Sequence, residues 1–102
     1  MEIKEHLKEN GLTLSLKGSF DEASSPEVER KLTEALSQDI KSICFDLGKV
    51  PYISSAGIRV LIIAYKKAVK NEKKVLIGDM SAKVEEILET VGILPLFAIP
   101  GR

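Results

Sequence analysis

The stretch VPYISSAGIRVLI, residues 50–62, runs apolar, pauses at two serines and a glycine, and then runs apolar again. Apolar runs on both sides of Ser54, Ser55 and Gly57 are typical of a buried strand that passes through a short loop into a buried helix. Serine is a common N-cap residue, so either hydroxyl could simply close the first turn of that helix. The alternative is that the serine pair carries a function, and the rest of the chain helps to weigh the two.

The length of the chain, 102 residues, fits one compact domain, residues 1–102. Hydrophobic residues make up 44%, which argues against disorder, and 15 basic against 15 acidic residues argue against a dedicated nucleic-acid binder. The apolar run VLIIA (residues 60–64) is far shorter than the ~20 residues of a membrane helix. The charged N-terminus lacks a signal-peptide core. We therefore expect a cytoplasmic protein with no membrane insertion and no direct nucleic-acid contact.

The chain opens with two alternating segments, EIKEHLKEN (residues 2–10) and GLTLSLKG (residues 11–18). Asn10-Gly11 between them is a strong signal for a two-residue turn, so we expect an antiparallel hairpin with one buried face. Two later segments, SICFDL (residues 42–47) and KKVLIGD (residues 73–79), carry consecutive apolar residues. They are predicted to be strands that are buried on both faces.

Three helices are predicted between and after these strands. The first begins at a cap formed by Ser24 or Ser25, and the second runs from about Ser55 to Lys70. The third runs from an N-cap at Ser81 to a C-cap at Gly92. The residues expected to face the core are, in the first helix, Val28, Leu32, Ala35 and Leu36; in the second, Ile58, Leu61, Ile62, Tyr65 and Val69; and in the third, Val84, Ile87, Leu88 and Val91.

The predicted order is β-β-α-β-α-β-α, and the short C-terminal segment PLFAIPG can add a small edge strand. This order predicts an α/β fold with a four- to five-stranded, mostly parallel mixed sheet, an N-terminal antiparallel hairpin and three helices. In such sheets, function collects in the loops at the carboxyl ends of the strands. We expect three of these loops to share one edge of the molecule: Asp21–Ser25, Pro51–Gly57 and Asp79–Ser81.

Enzymatic chemistry has little support in the sequence. His6 is the only histidine and lies in the polar alternation of the first strand, where nothing brings it to Ser54 or Ser55. No cluster of His, Cys or carboxylate residues has metal-ligand spacing, and no Gly-rich phosphate loop is present. Cys44 is the only cysteine and is expected to be a buried core thiol. The residues therefore predict a binding surface rather than an enzyme, with no cofactor and no metal.

The stretch FDLGKVPYISSAGIRVLI (residues 45–62) resembles the signature of STAS domains, in particular of bacterial anti-sigma factor antagonists. The earlier LKGSFDEASS (residues 16–25) is similar to the family's turn before the first helix, and the order of elements matches over nearly the whole chain. The C-terminal helix that is usual in the family is not evident. The resemblance implies partner switching: the unphosphorylated protein binds an anti-sigma factor with serine kinase activity and frees sigma, phosphorylation blocks that binding, and a serine phosphatase resets it.

Carried over residue by residue, the resemblance implies that the phosphoacceptor is Ser55. Ser54 departs from the family pattern, since many members have Asp there, and it is the alternative acceptor because it offers a second hydroxyl. Ala56 stands where many members have Ser or Thr, Gly57 keeps the family glycine, and Asp21 matches the acidic residue of the first loop. The implied partner-binding residues are Asp21, Ser24, Ser54, Ser55, Ala56, Gly57, Ile58 and Arg59.

Other readings of the same residues stay open. An accessory STAS subunit of a lipid-transport or stress-sensing complex would dock through the same surface constitutively. Gly57 in a first helical turn costs ~1 kcal/mol relative to Ala, which indicates that a neighbouring element or a partner approaches its backbone closely.

A phosphate on Ser55 would add about −1.5 to −2 charge at a helix N-terminus, which tolerates anions. The sequence therefore predicts an electrostatic block without a large conformational change.

Overall fold

A computed structural model of the chain describes residues 1–101. This part of the chain contains four strands, three helices and a short 3₁₀ turn, and each type is numbered along the chain. The strands are β1 (Glu2–Lys8), β2 (Gly11–Lys17), β3 (Ser42–Lys49) and β4 (Lys74–Met80). The helices are α1 (Ser25–Leu36), α2 (Ser55–Lys70) and α3 (Ala82–Thr90), and the 3₁₀ turn is Leu94–Leu96.

The four strands form one mixed sheet in the order β1-β2-β3-β4. β1 pairs with β2 antiparallel, and the β2–β3 and β3–β4 pairs are parallel. The α/β class, the opening hairpin and the three helices are confirmed. The C-terminal segment adds a single bridge between Leu76 and Ala98 rather than a fifth strand. Pro95 and Pro100 lie on either side of Ala98, and proline cannot donate to a strand ladder, so the pairing stops there.

The turn of the hairpin lies one residue earlier than the sequence predicts. Lys8 pairs with Gly11, so the turn residues are Glu9 and Asn10, and Glu9 adopts a positive φ of 55°. The Asn10-Gly11 prediction is therefore wrong. The observed register places Ile3 opposite Leu16, an apolar cross-strand pair that stabilises the hairpin.

The core lies between one face of the sheet and the helices. The buried strand residues alternate along the chain and share that face: Leu12, Leu14, Leu16, Ile43, Phe45, Leu47, Val75 and Ile77. The residues between them are half-buried in β3 and half-buried or exposed in β4, so the prediction that these two strands are buried on both faces is wrong. Consecutive parallel strands lie side by side here, so right-handed crossovers bring α1 and α2 to the same face.

α1 and α3 begin where the sequence predicts, but the Ser24 side chain at the N-cap of α1 makes no capping hydrogen bond, so that part of the prediction is wrong. The expected inward residues of α1, namely Val28, Leu32, Ala35 and Leu36, are all buried. Ser81 caps α3, its Oγ accepting a hydrogen bond from the Val84 N–H at 3.3 Å. Gly92 follows the helix with a φ of 80°, as a C-terminal glycine should. Of the four residues expected to face inward in α3, Val84 and Leu88 are buried, Ile87 is half-buried, and Val91 is exposed.

α2 has the predicted bounds but a different inward face. Its buried residues are Gly57, Val60, Leu61, Ala64 and Ala68, so only Leu61 of the expected set is fully buried. Ile58, Ile62 and Tyr65 are half-buried, and Val69 is 57% exposed. α2 packs against both α1 and β4. Small side chains on the inward face allow this close approach, and the bulky residues lie at its flanks.

Candidate protein-interaction site

The loops that follow β2, β3 and β4 meet at one edge of the sheet, as predicted. Phe20 in the first loop and Ile53 in the second form a parallel bridge, and the Ser54 N–H donates to the Phe20 carbonyl at 2.9 Å. The third loop joins them through Ser81, whose Oγ donates to the Val50 carbonyl at 2.7 Å. We name this surface the carboxyl edge; it comprises the three loops, residues 18–24, 50–54 and 81, and the adjoining start of α2, residues 55–59.

Asp21 and Ser24 close the first loop onto α1. The Asp21 Oδ1 accepts hydrogen bonds from the N–H groups of Ala23 at 3.1 Å and Ser24 at 3.2 Å. The Ser24 Oγ accepts in return from the Asp21 N–H at 3.0 Å. Both residues are half-buried. Each therefore shapes the loop through its own backbone contacts while keeping part of its surface open to solvent.

Ser54 occupies the N-cap position of α2, but its side chain does not act as a cap. Its backbone is extended (φ −90°, ψ 176°), and its carbonyl accepts from the Ile58 N–H at 2.9 Å. The residue is 8% exposed, and within residues 1–101 its hydroxyl has no hydrogen-bond partner. A buried hydroxyl without a partner costs roughly 1–3 kcal/mol. The capping explanation of this serine therefore does not hold in the structure.

Ser55 is the first residue of α2, and its side chain is exposed. Its N–H and those of Ala56 and Gly57 have no backbone acceptor in the described part of the chain. No acidic residue lies in this first turn. The helix N-terminus thus presents free donors and uncompensated partial positive charge next to an accessible hydroxyl.

The structure identifies the group that closely approaches the backbone of Gly57. A Cβ at this position would lie 2.7 Å from the Phe20 carbonyl oxygen and 2.7 Å from the Ile53 Cγ1. The approaching group is therefore a neighbouring element, the first two loops, and Gly57 itself is buried. Any larger residue would push the first loop away from α2.

The outer surface around Ser55 combines apolar, aromatic and charged groups. Arg59, one helical turn further on, is exposed and forms no ion pair within residues 1–101. Ile58 and Ala56 are half-buried. Tyr52 is 49% exposed in the second loop, and the sequence reasoning did not single it out. An aromatic residue in a short loop at a strand end is the signal that could have found it.

His6 lies far from the serines in the order of the sheet. It is exposed on the edge strand β1, and β2 separates it from β3, the strand that leads to Ser55. Within residues 1–101, no helix has the length and apolar character to cross a membrane. Those residues also contain no group of three or more His, Cys, Asp or Glu side chains arranged to hold a metal ion.

Cys44 is half-buried on the face of the sheet opposite the helices, not fully buried in the core. Burial raises the pKa of its thiol above the ordinary value for cysteine, and the Asp46 carboxylate raises it further, whereas a hydrogen bond with the Gly78 backbone lowers it. The net direction is upward, so the thiol is protonated and weakly nucleophilic at neutral pH.

The sheet order, the three helices and the loops that meet beside the N-terminus of α2 define a class of small α/β domains. The chain matches the STAS domain family over residues 1–100. It belongs to this family.

Named relatives of the chain come from several bacteria. It is 27% identical over 88 residues to BtrV of Bordetella bronchiseptica strain RB50, a protein assigned as an anti-sigma factor antagonist; the match covers 86% of this chain and 76% of BtrV. An anti-sigma factor antagonist from Mycobacterium paratuberculosis has a similar structure, with a TM-score of 0.86 at 16% identity over 99% of this chain and 86% of that one.

The anti-sigma factor antagonist SpoIIAA of Bacillus has the same fold in two chemical states. Its unphosphorylated form matches with a TM-score of 0.85 at 13% identity, over 99% of this chain and 90% of SpoIIAA. Its phosphorylated form matches with a TM-score of 0.77 at 12% identity, over 99% and 93%. At these identities the likeness establishes the fold that this chain shares with SpoIIAA.

Proposed function

We propose that this STAS domain is an anti-sigma factor antagonist that acts by partner switching, and that it is not an enzyme. In the unphosphorylated state its carboxyl edge binds an anti-sigma factor with serine kinase activity and so frees the sigma factor. Phosphorylation of Ser55 blocks that binding, and a serine phosphatase restores it. We place the protein in the cytoplasm, where sigma factors act. The similarity to BtrV and to two antagonists of known structure supports this proposal.

The contrast in exposure between the two serines carries the assignment of Ser55. A kinase must bring a phosphoryl donor in line with the hydroxyl oxygen that attacks it. The Ser55 side chain is exposed at the carboxyl edge, whereas the Ser54 Oγ is buried. Ser55 therefore meets the steric requirement of a phosphoacceptor, and Ser54 meets it only if the first turn of α2 opens.

The phosphorylation step changes charge without demanding a new fold. The terminal phosphoryl group of a nucleoside triphosphate passes to the Ser55 Oγ: the new O–P bond forms, the bond to the leaving diphosphate breaks, and the hydroxyl proton passes to a base of the kinase. The product carries roughly 1.5–2 negative charges where the parent carries none. The free N–H groups of the first turn of α2 suit such an anion, so the domain itself can accommodate it.

The block then acts on the partner. Tyr52, Ile58 and Arg59 surround the acceptor with the mixture of aromatic, apolar and basic groups that is common at interface centres. A phosphate in the middle of that surface must lose its hydration when a partner covers it, and it repels acidic groups of the partner. About 1.4 kcal/mol of such cost already reduces affinity tenfold.

A phosphorylation and binding experiment tests the proposal. The protein is mixed with candidate anti-sigma kinases from its own genome and ATP, and the phosphate is located by mass spectrometry. We expect phosphate on Ser55, with Ser55→Ala unmodified and Ser54→Ala modified. Ser55→Ala should bind the kinase like the parent, and Ser55→Glu should bind at least about tenfold more weakly.

Three results would contradict this mechanism. Phosphate on Ser54 would move the acceptor. Equal binding by Ser55→Ala and Ser55→Glu would rule out the charge block. Tight binding to a transport or stress-sensing complex, with no phosphate on either serine, would favour the accessory-subunit function instead.

A further inference from the structure

The start of α2, from its N-cap Ser54 to Arg59, contains three kinds of group that have no partner among the described residues. The N–H groups of Ser55, Ala56 and Gly57 have no backbone acceptor in residues 1–101. The Ser54 hydroxyl, on a residue more than nine-tenths buried at the N-cap, has no hydrogen-bond partner in the same range. The Arg59 guanidinium is exposed and forms no ion pair there. All three kinds of group are donors, and all lie within about one helical turn of the Ser55 hydroxyl.

We propose that a phosphate on Ser55 folds back onto its own domain and is held there by a phosphate clamp, which consists of the α2 N-terminal amides, the Ser54 hydroxyl and the Arg59 guanidinium. This inference rests on the proposed phosphorylation of Ser55 and gives the new charge a receptor within the chain. Arg59 then has two roles: it belongs to the partner surface in the unphosphorylated state and binds phosphate in the modified state.

The spacing of Ser55 and Arg59 supports this contact. Residues four apart on a helix are neighbours, with Cβ atoms about 5–6 Å apart, and an anion that precedes a cation is the more stabilising order. A guanidinium can donate two parallel hydrogen bonds to a phosphate. The helix dipole acts in the same sense, because its positive end lies at Ser55.

Ser54 supplies a donor on the other side of the acceptor. Its residue begins the helix, and its hydroxyl satisfies no group in the described unphosphorylated chain. Ser54 has the extended backbone of an N-cap residue (φ −90°, ψ 176°), in which a serine side chain can be oriented towards the amides of the first turn. A phosphate oxygen would be the acceptor that it lacks, so modification removes an unfavourable feature of the parent protein.

Several other charged residues lie in or next to the adjoining loops. Asp21 and Glu22 lie in the first loop, and the Asp21 carboxylate is engaged with the backbone of that loop. Asp79 and Lys83 lie on either side of the third loop, and the Asp79 Oδ1 accepts from the Met80 N–H at 2.9 Å. These charges are the same in the parent and in the variants below, so a comparison between them isolates the clamp.

The test uses the full chain with phosphoserine encoded at position 55, so that no kinase is needed. The thermal midpoint is measured with and without the phosphate in the parent and in three variants: Arg59→Gln, Ser54→Ala and Lys66→Gln. Lys66 is the matched control, since it is exposed on the same helix. Lys66 lies roughly 16 Å from Ser55 along the helix axis, which is beyond the ~10 Å screening length at 0.1 M salt.

We expect phosphorylation to raise the midpoint of the parent and of Lys66→Gln by about 3 °C. In Arg59→Gln and in Ser54→Ala the increase should fall by about half, and Arg59→Lys should restore part of it. In a phosphorus NMR titration, the pKa of the phosphate should be lower in the parent than in Arg59→Gln, because the guanidinium favours the dianion.

Equal midpoint increases in Arg59→Gln and Lys66→Gln would overturn the clamp, as would a decrease in the parent on phosphorylation. A full increase in Ser54→Ala would remove Ser54 from it. Failure here is distinct from failure of the proposed function: the clamp is measured on the isolated phosphoprotein, and the switching proposal depends on whether a kinase modifies and binds the chain.

Discussion

Ser54 and Ser81 stand at equivalent junctions, each between a parallel strand and the helix that follows it, yet their hydroxyls have opposite environments. The Ser81 Oγ accepts from the Val84 N–H at 3.3 Å and donates to the Val50 carbonyl at 2.7 Å. The Ser54 Oγ is buried without a partner in residues 1–101. Backbone contacts such as the Ser54 N–H to Phe20 carbonyl bond position α2 instead.

This difference shows that two similar strand-to-helix junctions are stabilised in different ways. At the start of α3 a side chain satisfies the helix and ties two loops together, so the junction is closed. At the start of α2 the helix is held by its backbone and by the absence of a side chain at Gly57, so its amide groups stay open. Four substitutions test the comparison, from the largest expected effect to the smallest.

Gly57→Ala tests whether close backbone approach holds the α2 junction. The added Cβ would lie 2.7 Å from the Phe20 carbonyl oxygen, so the first loop must move. We expect the free energy of unfolding to fall by about 2–3 kcal/mol, net of the gain in helix propensity. Urea denaturation measures it. Gly78→Ala is the matched control, because its Cβ would meet the Cys44 Sγ at 3.0 Å and the nearest backbone atom, the Phe45 carbonyl oxygen, lies 3.9 Å away; equal losses in both would refute the special role of Gly57.

Ser81→Ala removes the side chain that closes the α3 junction. The Val84 N–H and the Val50 carbonyl both lose a partner. The expected loss is about 1–2 kcal/mol of unfolding free energy, or roughly 5–10 °C in the thermal midpoint of a domain this size. Scanning calorimetry checks it, and an unchanged midpoint would show that Ser81 is dispensable.

Ser54→Ala is the counterpart at the α2 junction and should behave differently. It removes a buried hydroxyl that has no partner within residues 1–101, so stability should stay the same or rise by up to about 1 kcal/mol. Calorimetry under the conditions used for Ser81→Ala gives the direct comparison. A loss as large as that of Ser81→Ala would mean that Ser54 caps its helix in solution, and the contrast between the two junctions would disappear.

Ser55→Asp tests the open amides of α2 with a small anion. A carboxylate at a helix N-terminus should stabilise the domain by about 0.5 kcal/mol at low salt, and high salt should remove the gain. Ser55→Asn is the uncharged control of the same shape. Ala82→Asp at the start of α3 should gain less, because Ser81 already caps that helix and Glu85 lies in its first turn. Equal gains at both helices would contradict the comparison.

The sequence predicted the order of the elements, the bounds of α2 and the meeting of three loops at one edge, because periodicity and parallel connections determine them. It did not predict which side of α2 faces inward, since the Phe20 carbonyl above Gly57 sets that rotation through a tertiary contact. One face of β3 is only half-buried because the strand order brings the helices to the other face, and hydrophobic periodicity does not reveal strand order. The burial of Ser54 follows from the rotation of α2 and could not be predicted from the sequence either.

The parallel bridge between Phe20 and Ile53 has a consequence for the kinetics of association. It fixes the backbones of two loops before any partner arrives, through hydrogen bonds of 2.9–3.0 Å. Ordering a mobile interface costs about 0.5–1.5 kcal/mol for each immobilised side chain, on top of any loop ordering. A partner that binds here meets a preorganised surface, so the conformational entropy lost on association is confined to side chains such as Tyr52 and Arg59.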